Sequence, residues 1–109
     1  MNVGFDSKKL RDTCESEKLL EDIYGHNNSY LLMKFFADLQ AAVTLKDMWC
    51  IYKNDTAHIS DGEFRVAITL ACSVFFCGIA SKSPMKLGTE RDWDQATRVK
   101  ILKIEASYA

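Results

Sequence analysis

Several features that would narrow the class of this protein are missing from its sequence. The four cysteines, Cys14, Cys50, Cys72 and Cys77, include no pair with the C-x-x-C spacing of a zinc knuckle or a redox motif. Cys72 and Cys77 lie in an apolar run, where a reduced cysteine behaves as a small hydrophobic residue. We therefore expect buried thiols rather than disulfides, and neither a metal site nor a cofactor.

A membrane-spanning segment is also missing. The longest strongly apolar run, residues 66–80, is interrupted by Thr69, Ser73 and Gly78 and is too short to cross a bilayer. The first residues lack the basic segment followed by an apolar stretch that marks a secretory signal. We therefore expect a cytoplasmic protein that does not associate with membranes.

Neither sign of charge is in excess. The formal net charge is −1, and residues 1–54 carry seven basic and eight acidic groups, whereas residues 55–109 carry seven of each. Nonspecific binding of nucleic acids depends on basic residues that displace phosphate counterions. The composition therefore argues against a strongly basic surface, although a local basic patch is compatible with it.

What is present is the composition of one folded domain, residues 1–109. Apolar residues make up 48% of the chain and charged residues 27%, which is ordinary for a globular protein that builds one hydrophobic core. No internal repeat or low-complexity tract interrupts it.

The first half has helical patterns. After a short strand over residues 2–5, Asp6-Ser7 predicts a cap for a helix over residues 8–24, which Gly25 ends. A second helix is predicted over residues 30–43, capped by Asn28 or Ser29. Its wide apolar face is formed by Leu31, Leu32, Phe35, Phe36 and Leu39. Residues 44–47 predict the cap of one further turn that ends near Trp49.

The second half has strand patterns. Residues 50–52 are a weak strand candidate, and residues 64–70 alternate between apolar and other side chains, as in a half-buried strand. Residues 72–80 predict a second strand, paired with the first through a tight turn near Leu70-Ala71, and residues 99–104 predict a last one. Residues 81–91 read as a polar loop. The predicted class is α+β, with an N-terminal helical hairpin packed on a mostly antiparallel sheet of four or five strands.

Four segments resemble, in order, the killer-type toxins of the RelE/ParE superfamily (the HigB, or plasmid-maintenance, type). These toxins read F-x-S-K-K-L, L-x-A-A-x-x-L-x-D-L, G-Q-x-S-V and D-W-x-x-V-x-x-I-x-I-L-x-I-E-D-Y-H. The matching segments here are residues 5–11, 39–48, 62–66 and 92–105.

The resemblance implies a RelE-like fold and the toxin role in a type II toxin–antitoxin pair. Such toxins are ribosome-dependent endonucleases that cut mRNA, and a cognate antitoxin, here a HigA-like helix-turn-helix protein, silences them. The ribosome and mRNA would then be further partners. The ParE branch keeps the fold and poisons DNA gyrase, so the fold does not settle the function.

Cleavage of RNA at the 2′-hydroxyl needs a base, a cation for the phosphate and an acid for the leaving oxygen. The family's basic residues ahead of the G-Q strand are replaced here by a segment whose titratable base is His58, and Ser73 stands where the family has arginine. The family's C-terminal tyrosine has a counterpart in Tyr108, shifted by one position, without the histidine that follows it. The candidate catalytic residues are therefore His58, Arg65 and Tyr108.

Each candidate also has a plain structural interpretation. His58 is either the general base or an exposed histidine at a strand end, and Arg65 faces either an RNA groove or open solvent. Tyr108 is either a proton donor or part of a frayed terminus. Lys82 and Lys86 are either phosphate contacts or solvated loop charges, and Trp93 is most simply a packing residue. Two functions remain: an mRNA endonuclease with an altered site, or a RelE-fold protein without catalysis that binds an antitoxin, gyrase or another partner.

Overall fold

A computed structural model describes residues 1–60, 62–80 and 96–106 of the chain. Within these residues the chain runs through five strands and four α-helices. In chain order they are β1 (Asn2–Phe5), α1 (Lys8–Cys14), α2 (Glu17–Tyr24), α3 (His26–Ala41), α4 (Leu45–Tyr52), β2 (Thr56–Ser60), β3 (Glu63–Thr69), β4 (Cys72–Ala80) and β5 (Ala96–Ala106). A short 3-10 turn, Lys53–Asp55, joins α4 to β2.

The strands form a mixed sheet in the order β1-β5-β4-β3-β2. Its three pairings from β2 to β5 are antiparallel, and β1 runs parallel to β5 at the opposite edge. The helices cover one face of the sheet, because their buried side chains and those of the strands belong to the same hydrophobic cluster. This arrangement confirms the predicted α+β class and the mostly antiparallel sheet.

The predicted helix over residues 8–24 is two helices. Ser7 caps α1 as expected, since its hydroxyl accepts a hydrogen bond from the Leu10 N–H at 3.1 Å. Ser16 then has extended backbone angles, and its hydroxyl accepts from the Leu19 N–H at 3.2 Å, so a new helix begins there. The prediction missed this second cap because the apolar spacing continues across the break.

The next helix begins four residues earlier than predicted. Gly25 lies between α2 and α3 and has a φ of 85°, a backbone conformation that residues with a Cβ rarely adopt. The chain turns sharply there, and α3 begins at the next residue. Asn28 and Ser29 therefore do not cap α3. They lie inside its first turn, where their side chains donate to the carbonyl oxygens of Tyr24 and His26.

The structure has a fourth helix where the sequence predicts a single turn. The helical layer is therefore larger than the predicted two-helix hairpin and extends to the middle of the chain. The Asp47 carboxylate accepts hydrogen bonds from the N–H groups of Val43 and Thr44, which fixes the start of α4. The helix continues to Tyr52, so the weak strand prediction for residues 50–52 is wrong. The apolar side chains there follow helical rather than alternating spacing, with Leu45 and Met48 buried.

The β3–β4 hairpin forms where it was predicted, and β2 was missed. The turn between Thr69 and Cys72 is held by the Thr69 hydroxyl, which accepts from the Ala71 N–H and donates to the Asn28 side chain of α3. β2 escaped prediction because its five residues, Thr-Ala-His-Ile-Ser, show no clear apolar alternation.

The core lies between the helices and the sheet. Phe35 and Leu39 of α3 and Leu20 of α2 pack with Phe64 of β3 and Val74 of β4, and all five are at most 2% exposed. Of the five residues expected on the apolar face of α3, Leu31 lies outside the cluster and is half-buried, whereas the other four are buried in it. Every second residue of a strand faces the core, so the residues between them face away from the helices.

Candidate functional site

The three residues predicted to form a site are not all brought together. His58 lies on β2 directly opposite Phe64 of β3, and the two ring centroids are 5.1 Å apart. Residues that face each other on paired strands share a side of the sheet, so His58 lies on the side of the helices, at the edge of the sheet and exposed to solvent. The exposure agrees with the plain structural interpretation, but His58 is the middle residue of β2 rather than a strand end.

Arg65 lies on the other side of the sheet. It follows Phe64 in β3, so its side chain has the opposite direction, and its strand partners are Ala57 and Phe75. Arg65 is exposed. His58 and Arg65 therefore cannot act on one phosphate from the same side of the sheet. Tyr108 lies outside the described residues, as do Lys82, Lys86 and Trp93.

We call the side of the sheet away from the helices the outer face. Its central feature is a row of three side chains across three strands: Arg65 of β3, Phe75 of β4 and Lys103 of β5 are consecutive partners. The Lys103 Nζ atom lies 4.5 Å from the centre of the Phe75 ring. The row thus places a half-buried aromatic ring between two cations, and we refer to it as the Arg-Phe-Lys row.

A β-bulge in β5 places Lys103 in this row. Phe76 pairs with Ile101 and Phe75 pairs with Lys103, so Leu102 is an extra residue between two pairs. Without it, strict alternation would put Ile101 and Lys103 on the same side, and Lys103 would point into the core. The bulge lets Ile101 and Ile104, three residues apart, both pack against the core cluster while Lys103 faces outward.

Ser73 and Glu105 form the next pair on the outer face. Ser73 lies two residues before Phe75 on β4 and is paired with both Ala67 and Glu105, so it faces away from the core. The two residues line a cavity of about 470 Å³ at the turn of the β3–β4 hairpin. The Glu105 carboxylate lies 2.9 Å from the Lys103 Nζ atom, which ties this pair to the Arg-Phe-Lys row.

Acidic and basic side chains are each concentrated in one described segment of the molecule. Residues 12–22, which include most of α2, carry five acidic side chains and one basic side chain, Lys18. On the outer face, β3 and β5 carry Arg65, Arg98, Lys100 and Lys103 against Glu63 and Glu105. Counting charges along the two halves of the chain could not detect this basic patch, because it depends on which side of each strand a residue faces.

The strongest pKa shifts belong to the helical layer rather than to the outer face. Burial and the nearby Glu15 raise the pKa of the Cys14 thiol from 9.0 to about 12. Burial, together with the hydrogen bond from its hydroxyl to Asp38 at 2.8 Å, raises the pKa of Tyr52. Burial also raises the pKa of Cys72. Raised values keep these groups protonated and unreactive at neutral pH.

In residues 1–60, 62–80 and 96–106, no group of three or more His, Cys, Asp or Glu side chains is placed to hold a metal ion. No helix of the described part of the chain is long and apolar enough to cross a membrane.

The sequence singles out Arg65 and Ser73 but not Phe75 and Lys103. Phe75 lies between Val74 and Phe76 in an unbroken apolar run, which hides the outward direction of its ring. The available signal was the pairing of β4 with the alternating strand β3, where Phe75 falls opposite Arg65. Comparison with known proteins adds no further assignment: no family model, no curated protein and no solved structure matches the chain.

Proposed function

We propose that this protein is the toxin of a type II toxin–antitoxin pair and that it acts by binding single-stranded RNA on its outer face. The observation that carries the RNA-binding part is the Arg-Phe-Lys row, in which one aromatic ring lies between two cations on the surface of a sheet. Bases of single-stranded RNA stack on such rings, while arginine and lysine contact the phosphates on either side.

The toxin part of the proposal rests on the four segments that resemble killer-type toxins and on the order of elements, with one strand, then helices, then the remaining strands. A RelE-like fold belongs to the same proposal. Its expected inhibitor is a small helix-turn-helix antitoxin encoded by a neighbouring gene, and the outer face is where such an antitoxin would have to block RNA.

The binding experiment uses the purified full chain and a fluorescently labelled single-stranded RNA of mixed sequence, measured by anisotropy. Phe75→Leu keeps an apolar side chain of similar size and removes the ring. It should weaken binding about tenfold or more, within the range that loss of one base–aromatic stack produces. Lys46→Gln, a change of an exposed lysine on α4, is the matched control and should leave the affinity unchanged.

The phosphate contacts are tested through salt dependence. Each contact with a single strand contributes about −0.7 to the slope of log affinity against log salt concentration. Arg65→Gln and Lys103→Gln should each make this slope shallower by about that amount. If the three outer-face variants bound RNA with the affinity and the salt slope of the parent, the outer face would not be the RNA site.

A second candidate function, cleavage of mRNA, is favoured by one observation: Arg65, Ser73 and Glu105 share the outer face. Arg65 could clamp a phosphate, and the Glu105 carboxylate could take the proton that we assigned to His58 from the sequence. Induced expression in a bacterium, with mapping of mRNA ends by primer extension, separates the two functions. Growth arrest with new ends that disappear in Glu105→Gln supports cleavage, and arrest without new ends supports binding alone.

A further inference from the structure

A groove of about 390 Å³ lies between the first two helices and the second half of β5. Apolar side chains from both layers line it: Leu10 of α1, Ile23 of α2, and Leu102 and Ile104 of β5. Ile23 is 43% exposed, and the other three are half-buried. We call this feature the β5 groove. The proposed RNA site does not include these four side chains.

One wall of the β5 groove is an open strand edge. β1 pairs with β5 over residues 98–101, and the Asp6 N–H then donates to the Ile101 carbonyl oxygen at 2.9 Å before the chain turns into α1. β5 continues to Ala106, paired with β4 on its other side. Within the described part of the chain, residues 102–106 therefore have no strand partner on the side of β1. Open backbone groups of this kind are what a sheet edge uses to bind an added strand.

The charges of the groove indicate what the added strand carries. Both charged residues of its described lining are lysines, Lys9 and Lys103. The Lys103 Nζ atom is paired with the Glu105 carboxylate at 2.9 Å. Lys9 is exposed and forms no ion pair within residues 1–60, 62–80 and 96–106. A carboxylate on the added strand would give Lys9 a partner, so an acidic side chain beside apolar ones is the composition that fits the groove.

We propose that the β5 groove binds an extended segment of a partner protein, which adds a strand beside residues 102–106 in line with β1. Hydrogen bonds between main chains hold the segment, and its side chains select it. Successive side chains of a strand point in opposite directions, so every second one faces Leu10 and Ile23 and is apolar. An acidic side chain at the end of this apolar row reaches Lys9. The inference does not depend on RNA binding, because none of these three residues belongs to the Arg-Phe-Lys row.

The first experiment tests the open strand edge. The probe is the synthetic peptide Glu-Thr-Val-Thr-Val-Thr-Glu with blocked termini, titrated into the ¹⁵N-labelled full chain and followed by NMR. Its control has the same side chains but methylated amide nitrogens, so that it cannot donate hydrogen bonds to β5. The probe should shift amides within residues 102–106 and slow their exchange with solvent, and the methylated peptide should do neither. If the probe moved none of these amides, the inference would be wrong.

The second experiment tests the apolar contact with two variants of one helix. Ile23 and Leu19 are one turn apart on α2 and are 43% and 42% exposed, but Ile23 lines the groove and Leu19 does not. Ile23→Ser should weaken binding of the probe about fivefold, because part of an isoleucine side chain is no longer removed from water. Leu19→Ser is the matched control and should bind like the parent. Unchanged affinity in Ile23→Ser would overturn the inference.

The third experiment tests the acidic side chain. Lys9→Gln should weaken binding of the probe about two- to fivefold, within the range of an exposed ion pair. The same variant should not weaken binding of a second peptide in which glutamine replaces both glutamates. Equal losses for the two peptides would refute the pairing of Lys9 with a carboxylate of the partner.

A second copy of this chain is the alternative occupant, and sedimentation equilibrium of the chain alone separates it from a partner protein. The parent should be a monomer. A dimer that Ile23→Ser dissociates and Leu19→Ser retains would overturn the inference, because the groove would then be filled by another copy of the chain.

Discussion

The two sides of the sheet use the same strands for different purposes. Toward the helices β3 and β4 present Phe64, Val66 and Val74, each at most 1% exposed. Their neighbours in sequence, Arg65, Ser73 and Phe75, face away from the helices and are exposed or half-buried. Adjacent residues of one strand therefore have different roles, since one packs in the core and the next faces the proposed ligand. Substitutions at neighbouring positions should therefore have very different effects on stability.

The largest difference is expected between Val74→Arg and Ser73→Arg. Val74 is fully buried, so an arginine there would place an unpaired charge in the core, at a cost of several kcal/mol that should prevent folding. Ser73 faces outward beside Glu105, so an arginine there should be tolerated and can pair with that carboxylate. Circular dichroism and thermal melting of the two variants make the comparison. A folded Val74→Arg or an unfolded Ser73→Arg would contradict the assignment of faces.

A smaller loss is expected from Leu39→Ala on α3. Leu39 is 1% exposed, and emptying a buried leucine site typically costs about 2–5 kcal/mol. Its exposed neighbour Gln40 provides the control, because Gln40→Ala should change the free energy of unfolding by less than about 0.5 kcal/mol. Urea denaturation measures both. Similar midpoints for the two variants would mean that the core face of α3 is wrongly placed.

The helical layer should also make stability depend on alkaline pH. Below pH 9 the Cys14 thiol is protonated in both the folded and the unfolded chain. As the pH rises toward 12, the unfolded chain loses this proton first, because the folded pKa is about 12, and stability falls. Tyr52 adds to the fall above pH 10 for the same reason. Denaturation at pH 8, 9.5 and 11 should give a shallower decline for Cys14→Ala than for the parent, and an equal decline would exclude this contribution of Cys14.

The smallest effect on stability is expected on the outer face. Lys103 and Glu105 form an exposed ion pair, and such pairs contribute between 0 and about 1 kcal/mol. Lys103→Gln should therefore leave the unfolding midpoint close to that of the parent while it weakens RNA binding. A large loss of stability would show that the Arg-Phe-Lys row is part of the packing rather than a binding surface.

These comparisons depend on features that differ in how well the sequence predicts them. The β3–β4 hairpin and most core positions follow from alternation, because Phe64, Val66 and Val74 are apolar and Arg65 is not. The helix starts are harder to predict. Ser16 begins a new helix without interrupting the apolar pattern, and α3 begins directly after Gly25 rather than after Asn28 or Ser29. The strand β2 is harder still, since its place is fixed by pairing with β3 rather than by its own residues.

The candidate site was predicted less well than the fold. Residue type alone selected His58 and Arg65, and only the strand register shows that they face opposite sides of the sheet. The register also contains the bulge at Leu102, which exchanges the directions of all later residues of β5, and no local signal marks it. Tyr108 lies outside the described residues and stays a prediction.

The parallel pairing of β1 with β5 has a consequence for how the chain assembles during synthesis. Phe5 pairs with Ile101, so β1 obtains its partner only after the residues between the two strands have been made. Until then Val3 and Phe5 lack their neighbours in the sheet, Val99 and Ile101, and the apolar side of the helices lacks most of its cover. Contacts so distant in sequence slow folding, because a long loop must close before they form. The nascent chain therefore exposes an apolar surface until β5 has been made. A chaperone that holds residues 1–52 should increase the yield of folded protein.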